Sequence, residues 1–234
     1  MTRTILSAIL LMLVVSSCDF DCLEGRGDLK SQVRKTKPFT SIQLGMNAKV
    51  IVTRDSLQSV RVEAQPNVLQ VLNTDVSSKC LYINVEGCLI DTKPITVYIT
   101  TPNIEGVVVN GSGNVESIGN FSPDKIELTI NGSGSITLSV NANTVSSVIR
   151  GSGDIIVSGS ARKLEAEIYG SGNVKCENLA ADNVSVDVKG SGDCRVFAIS
   201  KLDVDVAGSG NVYYKGKPDI SSNIAGSGKL EKSN

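Results

Sequence analysis

Over much of the second half of the chain, apolar and polar residues alternate. Ile126, Leu128 and Ile130, then Leu164, Ala166 and Ile168, then Val184, Val186 and Val188, then Leu202, Val204 and Val206 are separated by Glu127, Thr129, Glu165, Glu167, Ser185, Asp187, Asp203 and Asp205. A period of two with one wet side predicts half-buried β-strands. Each run ends two residues before a Gly-Ser-Gly tripeptide. The alternation then resumes behind such tripeptides, at Val115, at Ile136 and Leu138, at Ile155 and Val157, at Val174 and Cys176, at Cys194 and Val196, and at Val212 and Tyr214.

The tripeptide occurs seven times, with first glycines at Gly111, Gly132, Gly151, Gly170, Gly190, Gly208 and Gly226, so the spacings are 21, 19, 19, 20, 18 and 18 residues. Repeats of this length mark units that cannot bury an apolar face alone and must stack. A meander of hairpins also uses glycine turns. It would not need the same tripeptide in the same phase with the apolar residues on both sides. The pattern therefore predicts an all-β parallel solenoid (a β-helix) whose coils of 18–21 residues each hold two strands, a glycine corner and a variable return with room for a third strand. Glycine accepts positive φ and lets neighbouring corners approach. The corner serine could bond to the next corner, in a direction the sequence leaves open.

Before the repeats, Phe39 to Leu44, Ala48 to Thr53, Ser59 to Ala64, Cys80 to Val85 and Ile95 to Thr100 read as short strands, with a brief helical or irregular excursion over Pro66 to Val71. Residues 38–105 are expected to be an N-terminal β cap or first coils, and residues 106–234 the solenoid. A separate small domain is the alternative, unsupported by any linker-like stretch between 90 and 110. At the far end Lys229-Leu230-Glu231-Lys232 places charges on a final edge, which discourages sheet growth, and Ser222 replaces an inward apolar residue.

Residues 1–17 predict a lipoprotein signal peptide. Arg3 precedes an apolar run from Ile5 to Val15, too short to cross a bilayer comfortably, and Val15-Ser16-Ser17 leads into Cys18. Cys18 is expected to carry lipid, and residues 18–37 to form a polar tether. Asp19 and Asp21 behind the anchor resemble surface-export signals of Bacteroidetes lipoproteins, although aspartate there retains lipoproteins at the inner membrane in other envelopes. The expected location is the cell envelope, lipid-anchored, at the outer membrane, with surface exposure one of the two displays the sequence leaves open. Arg26-Gly27-Asp28 spells an integrin-type tripeptide, a three-residue match of low specificity.

Composition narrows the chemistry. The chain has no histidine, which removes the commonest general base and a common zinc ligand. No Trp and few other aromatics leave the core to Val, Ile and Leu, which suit strands. A formal net charge of −1 with scattered basic residues offers no nucleic-acid footprint. No catalytic residue, metal or cofactor is assigned.

Stacking turns equivalent positions into columns. Behind the corners stand Asn114, Ser135, Asp154, Asn173, Asp193 and Asn211, followed by Lys229. The expected role is a structural hydrogen-bonded ladder, with calcium as the rival. The calcium-binding nonapeptide period is absent. A second, acidic strip of Glu127, Glu165, Glu167, Asp187, Asp203 and Asp205 is a solvated face or a docking strip for a basic partner or cation. Its carboxylates could in principle cleave a glycoside, but a flat face without a lid or aromatic platform makes a poor site. Among the cysteines other than Cys18, Cys80 with Cys88 is the favoured disulfide, with Cys22 as a competing partner. Cys176 and Cys194 face inward but are offset by two residues, which fits buried thiols better than a bond.

The segments Val109-Asn110-Gly111-Ser112-Gly113-Asn114-Val115, Ile130-Asn131-Gly132-Ser133-Gly134 and Ala207-Gly208-Ser209-Gly210-Asn211-Val212 resemble the auto-transporter adhesin head GIN domain family, over roughly Phe39 to Leu230. The resemblance implies a right-handed parallel β-helix and transfers no catalytic residue. The functional expectation is a non-catalytic envelope lipoprotein presenting an elongated surface for adhesion or ligand binding, its partner a glycan or an envelope or host protein. Envelope scaffolding is the alternative, and a polysaccharide-active enzyme a remote third.

Overall fold

A computed structural model describes residues 22–233, and the leader and Cys18 lie outside the described residues. The repeats form two facing sheets of parallel strands joined at one side by the Gly-Ser-Gly corners. In the sheet before the corner, Gly106–Gly111 pairs with Lys125–Gly132, and the stack continues through the second parts of Ser135–Gly151, Asp154–Gly170, Asn173–Val188 and Cys194–Gly208 to Asp219–Gly226. In the sheet behind the corner, Asn114–Phe121 pairs with the first part of Ser135–Gly151, and the stack ends at Val212–Gly216 and Leu230–Lys232.

The register places like over like. Val109, Ile130, Ile149, Ile168, Val188, Val206 and Ile224 form one inward column, and Val115, Ile136, Ile155, Val174, Cys194, Val212 and Leu230 face them. Apart from the terminal Ile224 and Leu230, all of these are buried, most of them completely. One polar residue interrupts the interior. Ser147 stands between Leu128 and Ala166, fully buried, and its Oγ has no hydrogen-bond partner among the described residues.

The return holds no separate third strand. Pairing runs through it, Asn141 beside Ser160 and Ala142 beside Ala161, so the middle coils are continuous strands of 15–17 residues. The inward phase shifts there, from Val140 to Val145, which turns the chain from one sheet into the other.

The N-terminal half joins the same stack, out of chain order. Ser41–Leu44 and Lys49–Arg54 form a coil packed between Gly106–Phe121 on one side and Cys80–Thr101 on the other. Beyond that, the strands turn antiparallel. Leu72–Ser77 closes one sheet against Cys80–Val85, while Ser59–Ala64 and then Lys30–Arg34 close the other. The helix Pro66–Val71 crosses between them and buries Val68 and Leu69 over the end of the core. Proline at its first turn costs no hydrogen bond, because that N–H is unpaired in any helix.

Two expectations change here. Lys30–Arg34 is a strand of the cap, so the tether expected over 18–37 is partly structure. The disulfide joins Cys22 to Cys88, with Cα atoms 4.7 Å apart, and Cys80 is free. Cys80–Val85 is an extended strand that carries the chain about 17 Å away from Cys80, so Cys88 cannot turn back to it. The bond instead clamps Leu23–Glu24 beside Leu89–Ile90.

The opposite end of the stack is built differently. Every residue of Asp219–Gly226 is exposed, with Ile220 at 43% and Ile224 at 38%, whereas Leu202, Val204 and Val206 one coil below are at 0–4%.

Candidate functional site

The corner ladder works through the backbone. The carbonyls of Gly111, Gly151, Gly170, Gly190 and Gly208 each receive two corner N–H groups of the next coil, and that of Gly132 receives one. Ser133 and Gly134 donate to Gly111 at 2.8 and 3.0 Å, Ser171 and Gly172 to Gly151 at 2.9 and 3.0 Å, and Ser209 and Gly210 to Gly190 at 2.9 and 3.1 Å. The serine thus contributes its backbone N–H, and the corner serines themselves are exposed. The third glycine is fixed by packing: a Cβ on Gly153 would lie 2.3 Å from the carbonyl oxygen of Gly134, and one on Gly172 2.3 Å from that of Gly153.

Beside the corners, the Asn114 column is hydrogen-bonded along the stack. Ser135 Oγ donates to Asn114 Oδ1 at 2.8 Å, Asn173 Nδ2 to Asp154 Oδ1 at 2.8 Å, the Asp193 N–H to Asn173 Oδ1 at 3.2 Å, and Asn211 Nδ2 to Asp193 Oδ1 at 3.1 Å. Lys175 Nζ occupies the other Asp154 oxygen at 2.7 Å. Burial pushes the Asp154 carboxyl up, but the bonds from Lys175 and Asn173 outweigh it and hold it below the usual carboxylate value. Asp154 and Asp193 are two coils apart, about 9–10 Å, too far to share a cation. Among the described residues no three carboxylate, thiol or imidazole groups gather around a metal-sized space.

The acidic strip divides into two columns of different character. In one, acidic and neutral coils alternate: Glu127, Ser146, Glu165, Ser185, Asp203, Ser221. Each acid there pairs with a lysine two residues earlier, Lys125 to Glu127 at 2.5 Å, Lys163 to Glu165 at 2.5 Å and Lys201 to Asp203 at 2.8 Å. The three lysines are 38 residues apart, a two-coil period written in the sequence but hidden by the shorter corner repeat.

In the other column, Glu167, Asp187 and Asp205 lie on successive coils, so like charges do adjoin. Each has a donor. Tyr169 Oη donates to Glu167 at 2.9 Å, Lys189 Nζ to Asp187 at 2.6 Å and Asn223 Nδ2 to Asp205 at 3.4 Å. The Tyr169 ring also lies between two cations, 5.2 Å from Lys189 and 5.6 Å from Arg150. The bond to Glu167 pushes the Tyr169 hydroxyl up, and the bond to Asp187 pushes the Lys189 ammonium up. The strip expected as purely acidic is therefore an amphoteric face with one exposed aromatic ring. The repeat gives no signal for that ring, because the equivalent positions hold Asn131, Arg150, Lys189 and Ala207.

The remaining candidates are quiet. Cys176 and Cys194 are buried and unpaired, in register with Val196 and Val174. Burial pushes the Cys176 thiol up to about 12 and raises that of Cys194 as well, so neither is a nucleophile near neutrality. Arg26 to Asp28 lies on an exposed bend, with Asp28 held by Lys93 at 2.8 Å. Surface recesses are shallow, such as one of about 430 Å³ lined by Ser41, Glu105, Asp124, Lys125 and Glu127. No helix among the described residues is long and apolar enough to cross a membrane.

Comparison with known proteins follows the same lines. The family model described as "Putative auto-transporter adhesin, head GIN domain" matches residues 38–218. A solved structure of a putative adhesin from Bacteroides fragilis superposes with a TM-score of 0.86 at 22% identity, covering 90% of this chain and 100% of that one. A putative lipid binding protein from Parabacteroides distasonis gives 0.76 at 21% identity, covering 91% and 99%. A putative adhesin from the same species gives 0.72 at 23% identity, covering 91% and 100%. No curated protein matches the chain.

Proposed function

Because the chain belongs to the auto-transporter adhesin head GIN domain family, we propose that it is a non-catalytic bacterial envelope protein that displays its stacked outer faces for adhesion. One observation carries this reading. The amphoteric column face spans three successive coils, with Glu167 and Asp187 half-buried and Asp205, Tyr169, Lys189 and Arg150 exposed beside them. Contact area on such a face grows with coil number, which suits recognition of an extended ligand. The ligand class proposed is a glycan or a protein of the envelope or of a host.

Lipid on Cys18 is part of the proposal. Each buried CH₂ of an acyl chain contributes about 0.8 kcal/mol, and several chains give durable attachment. Cys18 precedes the clamped Cys22 by only four residues, at most about 14 Å of chain. The capped end would then face the membrane and the open Ile220–Ile224 end would face outward. Placement at the outer membrane, with surface display, belongs to the same reading.

The test is a glycan and protein array probed with residues 22–234, in parallel with a Glu167→Gln/Asp187→Asn/Asp205→Asn variant. Saturable binding without turnover that is lost in the triple variant supports the proposal. Binding that ignores the variant would remove the face from it, and turnover of a bound polysaccharide would overturn the non-catalytic reading. A single envelope protein captured by the face would favour scaffolding.

A further inference from the structure

We propose that the capped end of the stack, from Leu29 to Lys37 with Leu57 beside it, is a membrane-contact surface that rests on anionic phospholipid headgroups of the leaflet holding the Cys18 anchor. This deepens the envelope reading and rests on it, because lipid on Cys18 is what brings the cap to a membrane.

The segment from Leu29 to Pro38 holds four cations, Lys30, Arg34, Lys35 and Lys37, and no carboxylate. Over the rest of residues 22–105 six cations meet eight carboxylates, so the positive charge of the cap is concentrated in this one segment. Lys30, Lys35 and Lys37 are exposed. Along the coils, Lys49, Lys125, Lys163, Lys175, Lys189 and Lys201 each sit on a carboxylate at 2.5–2.8 Å, whereas the three cap lysines have no such partner among the described residues. The acids just ahead of the segment are already matched, Asp28 by Lys93 at 2.8 Å and Glu24 by Arg26 at 3.8 Å. One lysine on an outermost edge is enough to discourage sheet pairing. Lys35 and Lys37 lie beyond the strand Lys30–Arg34 and serve no such purpose.

The two most exposed large apolar side chains among the described residues also lie here, Val33 at 69% within the strand and Leu57 at 76% in the neighbouring turn. Gln58 fixes that turn against the segment, accepting from the Phe39 N–H at 3.2 Å and donating to the Phe39 carbonyl at 2.8 Å. Basic heads around apolar side chains match a headgroup layer over hydrocarbon.

The route from the anchor to this surface is fixed. Cys22 is held by Cys88, Asn67 accepts from the Arg26 N–H at 2.9 Å and donates to the Glu24 carbonyl at 2.7 Å, and Gln65 donates to the Gly27 carbonyl at 3.3 Å. Residues 22–28 are therefore pinned along the start of the helix Pro66–Val71 and lead into Lys30–Arg34. Cys18 is at most about 14 Å of chain from Cys22, so lipid on it lets the cap lysines approach the headgroups to within the screening length of about 8 Å. Each basic residue that close to an anionic surface strengthens binding about fivefold.

The test takes the chain from residue 18 onward with Cys18→Ser, which has no anchor, and measures cosedimentation with vesicles of phosphatidylglycerol and phosphatidylethanolamine against vesicles of phosphatidylcholine. The expected result is binding to the anionic vesicles alone, weakening as salt rises. Lys30→Gln/Lys35→Gln/Lys37→Gln lowers it about a hundredfold. Lys215→Gln/Lys217→Gln/Lys229→Gln, which removes the same charge from the far end, leaves it unchanged. Unchanged melting temperatures in both variants exclude misfolding. Absence of binding at millimolar lipid, equal binding to neutral vesicles, or an equal loss in both triple variants would overturn the proposal. Acyl chains on Cys18 are read separately, from the mass of the native protein, so failure of the contact surface and failure of the anchor are told apart.

Discussion

Gly153→Ala is the sharpest perturbation of the stack, because it adds one methyl group where two coils touch. The new Cβ would lie 2.3 Å from the Gly134 carbonyl oxygen and 2.8 Å from Cγ2 of Ile130. The oxygen belongs to backbone that is itself bonded, since Asp154 N–H donates to it at 3.2 Å and Ser152 N–H donates to the neighbouring Gly132 carbonyl at 2.9 Å. Relief requires the coils to part locally by about 1 Å, which forfeits a quarter to a half of the dispersion contact across the gap. Overpacking of about 1–3 kcal/mol plus two weakened ladder bonds of about 1 kcal/mol each gives a cost of about 3–5 kcal/mol. Gly111→Ala is the control. Its Cβ meets nothing within 4 Å, and it suffers only from a φ of +115°, a strain of about 1–3 kcal/mol. Repeat arrays need not unfold in one step, so denaturant melting should be joined to amide hydrogen exchange. Protection is expected to fall most across the first parts of Ser135–Gly151 and Asp154–Gly170. A Gly153→Ala cost of less than about 1 kcal/mol, or one below that of Gly111→Ala, would refute close stacking of the corners.

Other consequences follow from single residues. Ser147→Ala removes a buried hydroxyl without a partner among the described residues and is expected to raise stability by about 1 kcal/mol in denaturant melts; a loss of stability would mean that the hydroxyl is bonded. The Cys22–Cys88 bond closes a separation of 66 residues, so Cys22→Ala/Cys88→Ala should cost up to about 4 kcal/mol, with exchange protection lost first at Leu23–Glu24 and Lys30–Arg34. The Asp154 carboxyl is held below its ordinary value in the folded chain. Its contribution to stability is therefore present above the unfolded pKa, about 3.9, and lost as pH falls through the lower folded value. The melting-temperature gap between wild type and Asp154→Asn should be widest near neutrality and close in acid, and a gap independent of pH would contradict this.

Much of the architecture could be read from the chain because parallel stacking in register turns a linear repeat into spatial columns. The phase of Ile130, Ile168, Val188 and Val206 against their glycines was enough to fix which residues face inward. The same logic placed Cys176 and Cys194 in neighbouring coils with a two-residue offset. The order of the first coils was not legible. Ser41–Leu44 looks like any other alternating strand, and nothing local says that it lies between Cys80–Val85 and Gly106–Gly111. The disulfide was misjudged for a related reason: Cys80 and Cys88 are near in sequence, but an extended strand separates them. The acidic strip was read at one-coil resolution, so its split into an alternating column and a continuous one went unseen. The spacing of Lys125, Lys163 and Lys201 held that information. The Gly-Ser-Gly serine was open in principle, because its role lies in a backbone N–H that its identity does not mark.

The central claim is that equivalent corners lie directly over one another, and distances between spin labels on the exposed corner serines test it most directly. With labels at Ser133 and Ser209, four coils apart, the separation should be about 19 Å, and at Ser112 and Ser227, six coils apart, about 29 Å, a rise of about 4.8 Å per coil. Separations that do not grow in proportion to the number of coils, as when successive corners sit at opposite ends of hairpins, would contradict the stack and everything built on its columns.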